Sequence, residues 1–325
     1  MSETIREQVS IRGQSAFVET AKAHATRVWK LAVKYRWLYL MMIPGLLYFA
    51  LFRYLPLWNA QIAFKDFKPL LGVEASPLIG FKHFVTFFNS FYFSQLIGNT
   101  LIISLLKLVF GMPVAVILAI GLYETVLKYF SRFVQTIAYM PHFLSWVIMY
   151  GILLVILSPG NGLINEIIKA NDGQPISFLT SPEWFRWVLV GSDIWKETGW
   201  STIIYLAALM AIDPGLFEAA SIDGASRMQR IWYISLPGIL SAVVVVLLLR
   251  IGSILDAGFH QVFVLYSLPV YSVGDIIDTW VYRQGILEFQ FSLATAVGLF
   301  KGLIGLVLLL SANKLAKRFT GSGLY

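Results

Sequence analysis

Residues 218–237 read Glu-Ala-Ala-Ser-Ile-Asp-Gly-Ala-Ser-Arg-Met-Gln-Arg-Ile-Trp-Tyr-Ile-Ser-Leu-Pro and form a charged island between two long apolar runs. In a chain this apolar, such an island is expected at a membrane face. The local chemistry predicts two short helices, the first capped by Asp213 and opened by Pro214. Asp223 and Gly224 supply the bend, and the final proline of the stretch ends the second helix. We therefore predict a compact, bent and exposed helical loop.

The composition is that of an integral membrane protein. Of the 325 residues, 58% are hydrophobic and 13% are charged, and the mean hydropathy is +0.72. A soluble domain carries roughly 25% charged residues. The chain has no cysteine, which excludes disulfides and cysteine-based zinc or nucleophile chemistry. The net charge of +7 reports membrane orientation and not a nucleic acid partner, because the basic residues lie in the predicted cytoplasmic segments.

Six stretches are long and apolar enough to span a membrane, for which about 20 residues are needed. The sequence therefore predicts an all-α polytopic membrane protein with six transmembrane helices. Asp193, Lys196 and Glu197 interrupt the fourth stretch, which we include because the count of positive charges on the inner side requires it. The predicted spans are residues 37–58, 95–121, 134–157, 184–210, 237–257 and 291–312.

Charge asymmetry predicts that both termini are cytoplasmic. The segments on the N-terminal side of the membrane hold about fourteen lysines and arginines, against about five in the opposite segments. The predicted organisation is a basic cytoplasmic N-terminal segment (1–36), a transmembrane permease domain (37–312) with a cytoplasmic loop at 211–236, and a cytoplasmic tail (313–325). The N-terminal segment reads either as a basic amphipathic helix on the membrane surface or as a disordered tail, and not as a cleavable signal.

The loop resembles the "EAA" loop of permease subunits in ATP-binding-cassette (ABC) importers. The matching residues are Glu218, Ala219, Ala220, Gly224 and the sequence Ile234-Ser-Leu-Pro237. In that family the loop docks on a separate ATPase, and Asp223 falls within the same coupling segment. This chain contains no Gly-x-x-x-x-Gly-Lys-[Ser/Thr] phosphate-binding loop of its own, so the resemblance implies that ATP and Mg are bound by the partner.

Several other phrases resemble one subgroup of carbohydrate-import permeases of the maltose type. They include Asn99-Thr100, the run from Gln135 to Trp146 that contains Met-Pro-His-Phe, the run from Asp193 to Trp200, and Asp278-Thr-Trp-Val-Tyr-Arg283. The subgroup serves oligosaccharides, often uronate-containing ones, as in the bacterial alginate importer. The resemblance implies a second homologous permease subunit, an ABC ATPase dimer, an extracytoplasmic solute-binding protein, and a place in the bacterial inner membrane.

Charged side chains within the fourth span are candidates for the substrate path, since each costs about 2.5–3.5 kcal/mol on insertion. Asp193, Lys196, Glu197 and Trp200 recur at spacings of three and four and so share a helix face. One interpretation is an internal ion pair of Lys196 with Asp193 or Glu197. The other is a hydrated path in which Trp195 or Trp200 stacks on sugar and Lys196 meets a carboxylate.

Arg250 is a further candidate, because it lies thirteen residues beyond Pro237 and so roughly 20 Å into the membrane. It either lines a cavity, where a guanidinium suits the carboxylate of a uronate, or forms a salt bridge with Asp193 or Glu197. The four histidines show no metal-ligand spacing, so no metal site is predicted.

Two functions fit the sequence. The first is an ABC importer permease for acidic oligosaccharide, and the second is an ion-coupled secondary sugar transporter with Asp193 or Glu197 as proton carrier. An enzyme is not predicted, because no nucleophile–base pair or metal set is present.

Overall fold

The computed structural model describes residues 30–31 and 33–320. Most of the predicted N-terminal segment lies outside these residues, and with it the choice between a surface helix and a tail. The chain divides after Gln61 into two units. The described residues form helices and no strand, apart from one isolated bridge between Lys65 and Leu78.

The first unit contains the first predicted span. Helix α1 (Arg36–Phe49) continues as a π-helical turn (Ala50–Tyr54) and a 3-10 helix (Leu55–Phe64), which together make one candidate span of 29 residues. Residues 36–58 are exposed along the whole length, which is typical of a helix that faces lipid or partner helices.

The second unit holds the other spans and the segments between them. Its helices are α2 (Gly72–Ala75), α3 (Lys82–Phe88), α4 (Phe93–Glu124), α5 (Lys128–Tyr139), α6 (Trp146–Leu157), α7 (Leu163–Ala170), α8 (Pro182–Met210), α9 (Pro214–Ile222), α10 (Arg227–Arg230), α11 (Leu236–Gly238), α12 (Leu240–Gly252), α13 (Phe259–Leu265), α14 (Tyr271–Gly274), α15 (Ile277–Tyr282) and α16 (Phe291–Thr320).

The six-span, all-helical prediction is confirmed. Within residues 30–31 and 33–320, three helices are long and apolar enough to cross a membrane alone, and the count rises to six when each of three bent helix pairs is taken as one span. The bends are 109° between Lys128–Phe143 and Trp146–Leu157, 69° between Pro182–Met210 and Pro214–Ile222, and 55° between Arg227–Gly238 and Leu240–Gly252.

One local prediction is wrong, and another differs by one residue. The third span, predicted as one stretch over 134–157, is broken by the 109° bend, and Ser145 caps the helix that follows by accepting a hydrogen bond from the Ile148 N–H. The helix of the charged loop ends at Gly238, one residue beyond the predicted stop at Pro237, and the 55° bend follows it. A π-helical turn over Ile231–Ser235 precedes the proline, whose missing N–H leaves the ordinary helical hydrogen bond unmade at that position.

The two long helices α4 and α8 pack along each other and form the centre of the second unit. Thr202 on α8 donates its hydroxyl to the Ala115 carbonyl on α4 at 3.2 Å. On another face of α8, Gly199 lies against the backbone of α5, where an added Cβ would fall 2.0 Å from the Ala138 carbonyl oxygen. The sequence therefore places a glycine where two helix backbones come closest.

Candidate functional site: an exposed loop and a polar cavity

The loop between the fourth and fifth spans has the predicted bent form. The Asp213 carboxylate accepts a hydrogen bond from the Gly215 N–H at 2.9 Å and so caps α9. Gly224 makes the bend with a φ of +75°, a conformation that favours glycine. The second helix begins with a capping box formed by Ser226 and Gln229, a pattern that was readable in the sequence.

The surface of this loop is open to a partner. Glu218 and Ala219 are exposed, as are Asp223 and Gly224, while Ala220 is half-buried. Large apolar side chains of the same loop are exposed as well: Leu216, Ile222, Met228, Trp232 and Tyr233. An exposed apolar patch with a charged rim marks an interaction surface.

A cavity of about 260 Å³ lies between α4, α8 and α12, at the point where the chain breaks after α12. Three of the predicted residues line it: Asp193, Glu197 and Arg250. The other polar residues of its wall are Ser104, Lys107, Thr198, Ser201, Tyr205, Ser253 and Asp256.

Lys107 organises one side of the cavity. Its ammonium lies 3.3 Å from Asp193 and donates to the Ala257 carbonyl at 2.9 Å and to the Gln261 side-chain oxygen. Ala257 and Gly258 both have positive φ, at 46° and 83°, and this break in the helix turns the Ala257 carbonyl towards the lysine. A Cβ at Gly258 would lie 2.6 Å from the ammonium, so the close approach depends on glycine.

Arg250 differs from the other cavity charges. Arg250 is exposed, and its guanidinium donates a hydrogen bond to the Ser201 hydroxyl at 3.3 Å. In the described part of the chain it has no ion-pair partner. The alternative in which it forms a salt bridge with Asp193 or Glu197 is therefore wrong, because those carboxylates are held by other groups.

The remaining predicted residues of α8 lie outside the cavity wall. Lys196 is buried and donates to the His142 carbonyl at 2.5 Å, and its ammonium also lies 3.5 Å from Glu197. Trp200 stacks on the His142 ring at 4.6 Å, while Trp195 is 43% exposed. The shared face predicted for α8 thus divides into a cavity side and a side that contacts the broken third span.

Glu197 joins these two sides. It lines the cavity, and its carboxylate lies 2.9 Å from the His142 Nδ1. The contact of His142 with Glu197 was not predicted from the sequence, in which His142 matches no metal-ligand spacing. The Met-Pro-His-Phe run at the break of the third span was the available signal.

Two buried hydroxyls of the cavity wall are also unsatisfied. Ser104 and Thr198 are each 8% exposed, and in the described residues their side-chain oxygens have no hydrogen-bond partner. Buried hydroxyls without hydrogen-bond partners are unusual in proteins.

Asp256, at the edge of the cavity, belongs to a second ionic cluster. Lys301 on α16 lies 2.5 Å from the Asp256 carboxylate and 2.7 Å from that of Asp278. Asp256 therefore does not pair with Arg250. Burial raises the pKa of Asp278, and the Lys301 ammonium opposes this effect.

The segment that follows the cavity is anchored by residues that the resemblance singled out. Asn99 donates to the carbonyl of Asp275 at 2.9 Å, and Thr100 accepts from the Ile277 N–H at 3.1 Å. The Arg283 guanidinium forms two hydrogen bonds to the Asp275 carboxylate. Burial lowers the pKa of Arg283, but the contacts with Asp275 outweigh it and the pKa lies above its ordinary value.

No group of metal-ligating side chains is found within residues 30–31 and 33–320. The site is therefore described by its ionic and hydroxyl groups.

Six apolar spans, a capped and exposed loop, and a polar cavity within the bundle together define a transport subunit of a membrane. The chain belongs to the family described as the inner membrane component of binding-protein-dependent transport systems, whose model matches residues 111–321. This match and the relatives and solved structures that follow confirm the predicted resemblance to ABC importer permeases of the carbohydrate-import group.

Two curated relatives from Bacillus subtilis (strain 168) are similar over most of their length. The polygalacturonan/rhamnogalacturonan transport system permease protein is 46% identical over 90% of this chain and 91% of its own. Protein LplB is 47% identical over 91% of this chain and 94% of its own.

Solved structures match the fold. One match is a chain in the crystal structure of a bacterial ABC transporter involved in the import of the acidic polysaccharide alginate. The two chains are 41% identical with a TM-score of 0.83, and the match covers 90% of this chain and 99% of that one. The alginate transporter in complex with an alginate pentasaccharide-bound periplasmic protein matches with a TM-score of 0.84 and 40% identity, over 92% of this chain and 100% of that one.

Proposed function

We propose that this chain forms one half of the translocation pathway of an ABC importer for oligo- or polysaccharides that contain uronic acids. The observation that carries the proposal is Arg250. It is the cavity cation that has no carboxylate partner in the described residues, whereas Lys107 lies against Asp193. A guanidinium with free donors at a cavity wall is suited to bind a carboxylate with two parallel hydrogen bonds.

The relatives support this substrate class. The transporters that they belong to are named for alginate and for polygalacturonan/rhamnogalacturonan, which are acidic polysaccharides. The Ser201 hydroxyl on the cavity wall supplies a further donor and acceptor that match the hydroxyl groups of a sugar.

The proposed assembly has several subunits. A second homologous permease completes the pathway, a dimer of ABC ATPases binds ATP and Mg, and an extracytoplasmic solute-binding protein delivers the sugar. The alginate transporter solved with its periplasmic protein supports the last partner. The assembly lies in a bacterial inner membrane, with both termini of this chain in the cytoplasm.

We propose that the loop at 211–236 docks on the ATPase. Small side chains at Ala219 and Ala220 allow a helix to seat closely in a cleft, and Glu218 can meet a cationic rim. Because the chain contains no cysteine, a single cysteine at Ala219 can be crosslinked specifically. We expect an Ala219→Cys crosslink to the ATPase, and none from Asn171→Cys, which lies on the opposite predicted face. Absence of the first crosslink in an active complex would refute docking.

The substrate proposal is tested in the complete complex reconstituted in proteoliposomes with the cognate binding protein. ATP hydrolysis is measured with oligogalacturonates, oligoalginates and neutral maltooligosaccharides. A hydrogen bond to a charged group contributes about 1.5–3 kcal/mol, so Arg250→Gln should weaken stimulation by uronates about 10- to 100-fold. Arg250→Lys should retain part of it, and Lys169→Gln, on the exposed surface of α7, should change nothing.

Two results would overturn the proposal. Stimulation of the wild-type complex by neutral sugars alone would exclude an acidic substrate. Uptake driven by a proton gradient without ATP or partner chains would instead support a secondary transporter.

A further inference from the structure

A row of aromatic rings begins at the edge of the cavity. Gly258 lines the cavity, and the next residue, Phe259, opens helix α13. Phe259, Phe263 and Tyr266 follow at spacings of four and three, which puts them on one face. Since a helix rises 1.5 Å per residue, the row extends about 10 Å away from the cavity.

The rings are in contact with one another. Ring centroids are separated by 5.3 Å between Phe259 and Phe263, and by 6.1 Å between Phe263 and Tyr266. Tyr271 continues the row, stacked on Tyr266 at 5.0 Å, and Tyr282 packs beside Phe263 at 4.8 Å. We call these five rings the aromatic track.

The aromatic track is only partly covered by the chain. Phe263 is 36% exposed, and the other four residues are half-buried. The opposite face of α13 is packed, with Gln261, Val262 and Leu265 buried. A core position would cover the rings fully, so this face is available to something outside the described chain.

The helix that carries the rings is held rigidly. Gln261 donates from the buried side of α13 to the Leu189 carbonyl at 2.7 Å and to the Ser192 hydroxyl at 2.8 Å. At the far end, Gln95 donates to the Tyr271 carbonyl at 2.8 Å. Fixed rings of this kind bind a ligand with little further loss of conformational freedom.

We propose that the aromatic track binds the faces of successive sugar rings in the substrate chain as it enters or leaves the cavity. The proposal rests on the proposed function, since it takes the same saccharide as its ligand. The C–H faces of a pyranose pack on aromatic rings, and tyrosine hydroxyls can bond the sugar hydroxyls at the rim.

The charges near the aromatic track are paired, so the track and Arg250 are expected to contact different parts of the saccharide. The Arg283 guanidinium lies 4.8 Å from the Tyr271 ring, but Asp275 neutralises it. The aromatic track therefore contacts ring faces without regard to the carboxylate, whereas Arg250 in the cavity recognises the carboxylate. A longer saccharide contacts both, and a short one contacts the cavity alone.

The test compares short and long oligosaccharides in the reconstituted complex. Phe263→Leu keeps apolar bulk but removes the aromatic face, and Phe263→Trp restores one. An aromatic contact contributes about 0.5–1.5 kcal/mol beyond buried area, which corresponds to about 2- to 10-fold in the half-maximal concentration. We expect Phe263→Leu to weaken ATPase stimulation by hexamers to this extent, to spare dimers, and to be rescued by Phe263→Trp. Phe91→Leu, an exposed aromatic elsewhere, serves as control.

Other occupants give different results. If this face contacts the second permease, Phe263→Leu lowers the yield of assembled complex, or weakens all lengths equally. If it contacts lipid, no length shows a change. Either result overturns the proposal that the aromatic track binds sugar. If only neutral sugars stimulate the wild-type complex, the proposed acidic substrate is wrong. The same comparison of short and long neutral sugars then still tests whether the aromatic track binds saccharide.

Discussion

Replacement of Lys107 by methionine tests the arrangement of the cavity most directly. The substitution keeps most of the side-chain volume and removes the ammonium, which contacts the Asp193 carboxylate, the Ala257 carbonyl and the Gln261 amide oxygen. All three acceptors then lose a donor at once. The substitution should lower the stability of the fold, because Lys107 on α4 contacts both α8 and the break in the chain after α12.

The expected magnitude follows from burial. The Lys107 and Asp193 side chains are 10% and 18% exposed. Removal of one partner of a buried ion pair costs about 3–5 kcal/mol, and partial hydration of Asp193 from the cavity places the value near the lower limit. Lys107→Met should therefore destabilise by about 3 kcal/mol, a factor of about 100 in the unfolding equilibrium. Asp193→Asn, which leaves the lysine two neutral acceptors, should cost about 1 kcal/mol.

Equilibrium unfolding in mixed detergent micelles, followed by tryptophan fluorescence, measures these differences. The double variant Lys107→Met/Asp193→Asn should lose at least about 1 kcal/mol less unfolding free energy than the two single variants together, since the two side chains interact. Lys169→Met, whose ammonium forms an exposed pair with Glu166, is the control and should shift stability by less than about 0.5 kcal/mol. The contacts described for Lys107 would be refuted if Lys107→Met were as stable as the control. They would also be refuted if the losses of stability from Lys107→Met and Asp193→Asn were strictly additive.

Three further substitutions address the fold and the loop. Gly199→Ala places a Cβ 2.0 Å from the Ala138 carbonyl oxygen and should destabilise the fold by about 1–3 kcal/mol in a thermal unfolding assay. The control is Gly191→Ala on the same helix, which has open space around it and should be neutral or slightly stabilising. Asn165→Ala removes a buried amide that bonds the backbone at both ends of its loop, and should cost about 1–3 kcal/mol and speed proteolysis there. Gly224→Ala, at a φ of +75°, should strain the loop by about 1–2 kcal/mol. We expect less sugar uptake per ATP hydrolysed and unchanged thermal unfolding of the spans. Normal coupling of uptake to ATP hydrolysis in this variant would contradict the role of the bend.

The spans and the charged loop could be predicted from the sequence, because both depend on local chemistry. A run of apolar residues long enough to cross the bilayer is readable without knowledge of its neighbours. The caps of the loop at Asp213 and the bend at Gly224 likewise follow from residues a few positions apart. The loop helix ends within one residue of Pro237, as predicted, whereas no local signal indicates the π turn over Ile231–Ser235.

The cavity could be predicted only in part. Asp193, Glu197 and Arg250 stood out because charge in an apolar run is costly wherever it lies. Their partners were not readable, since Lys107 reaches the cavity from a helix far away in the sequence and is itself held by Gln261 of another helix. Helical periodicity gave the face shared by the charged residues of α8, but only packing decided which of them meet the cavity.

The amino-acid sequence alone thus determined a six-span membrane protein with a capped, exposed loop, because hydrophobic length and local hydrogen bonding act within one segment. The tertiary structure decided which charges are neutralised and which remain free. Pairing depends on distances between helices that no spacing along the chain encodes. Arg250 is left without a carboxylate partner in the described residues because Lys107 and Lys196, each positioned by a different helix contact, lie beside the nearby carboxylates.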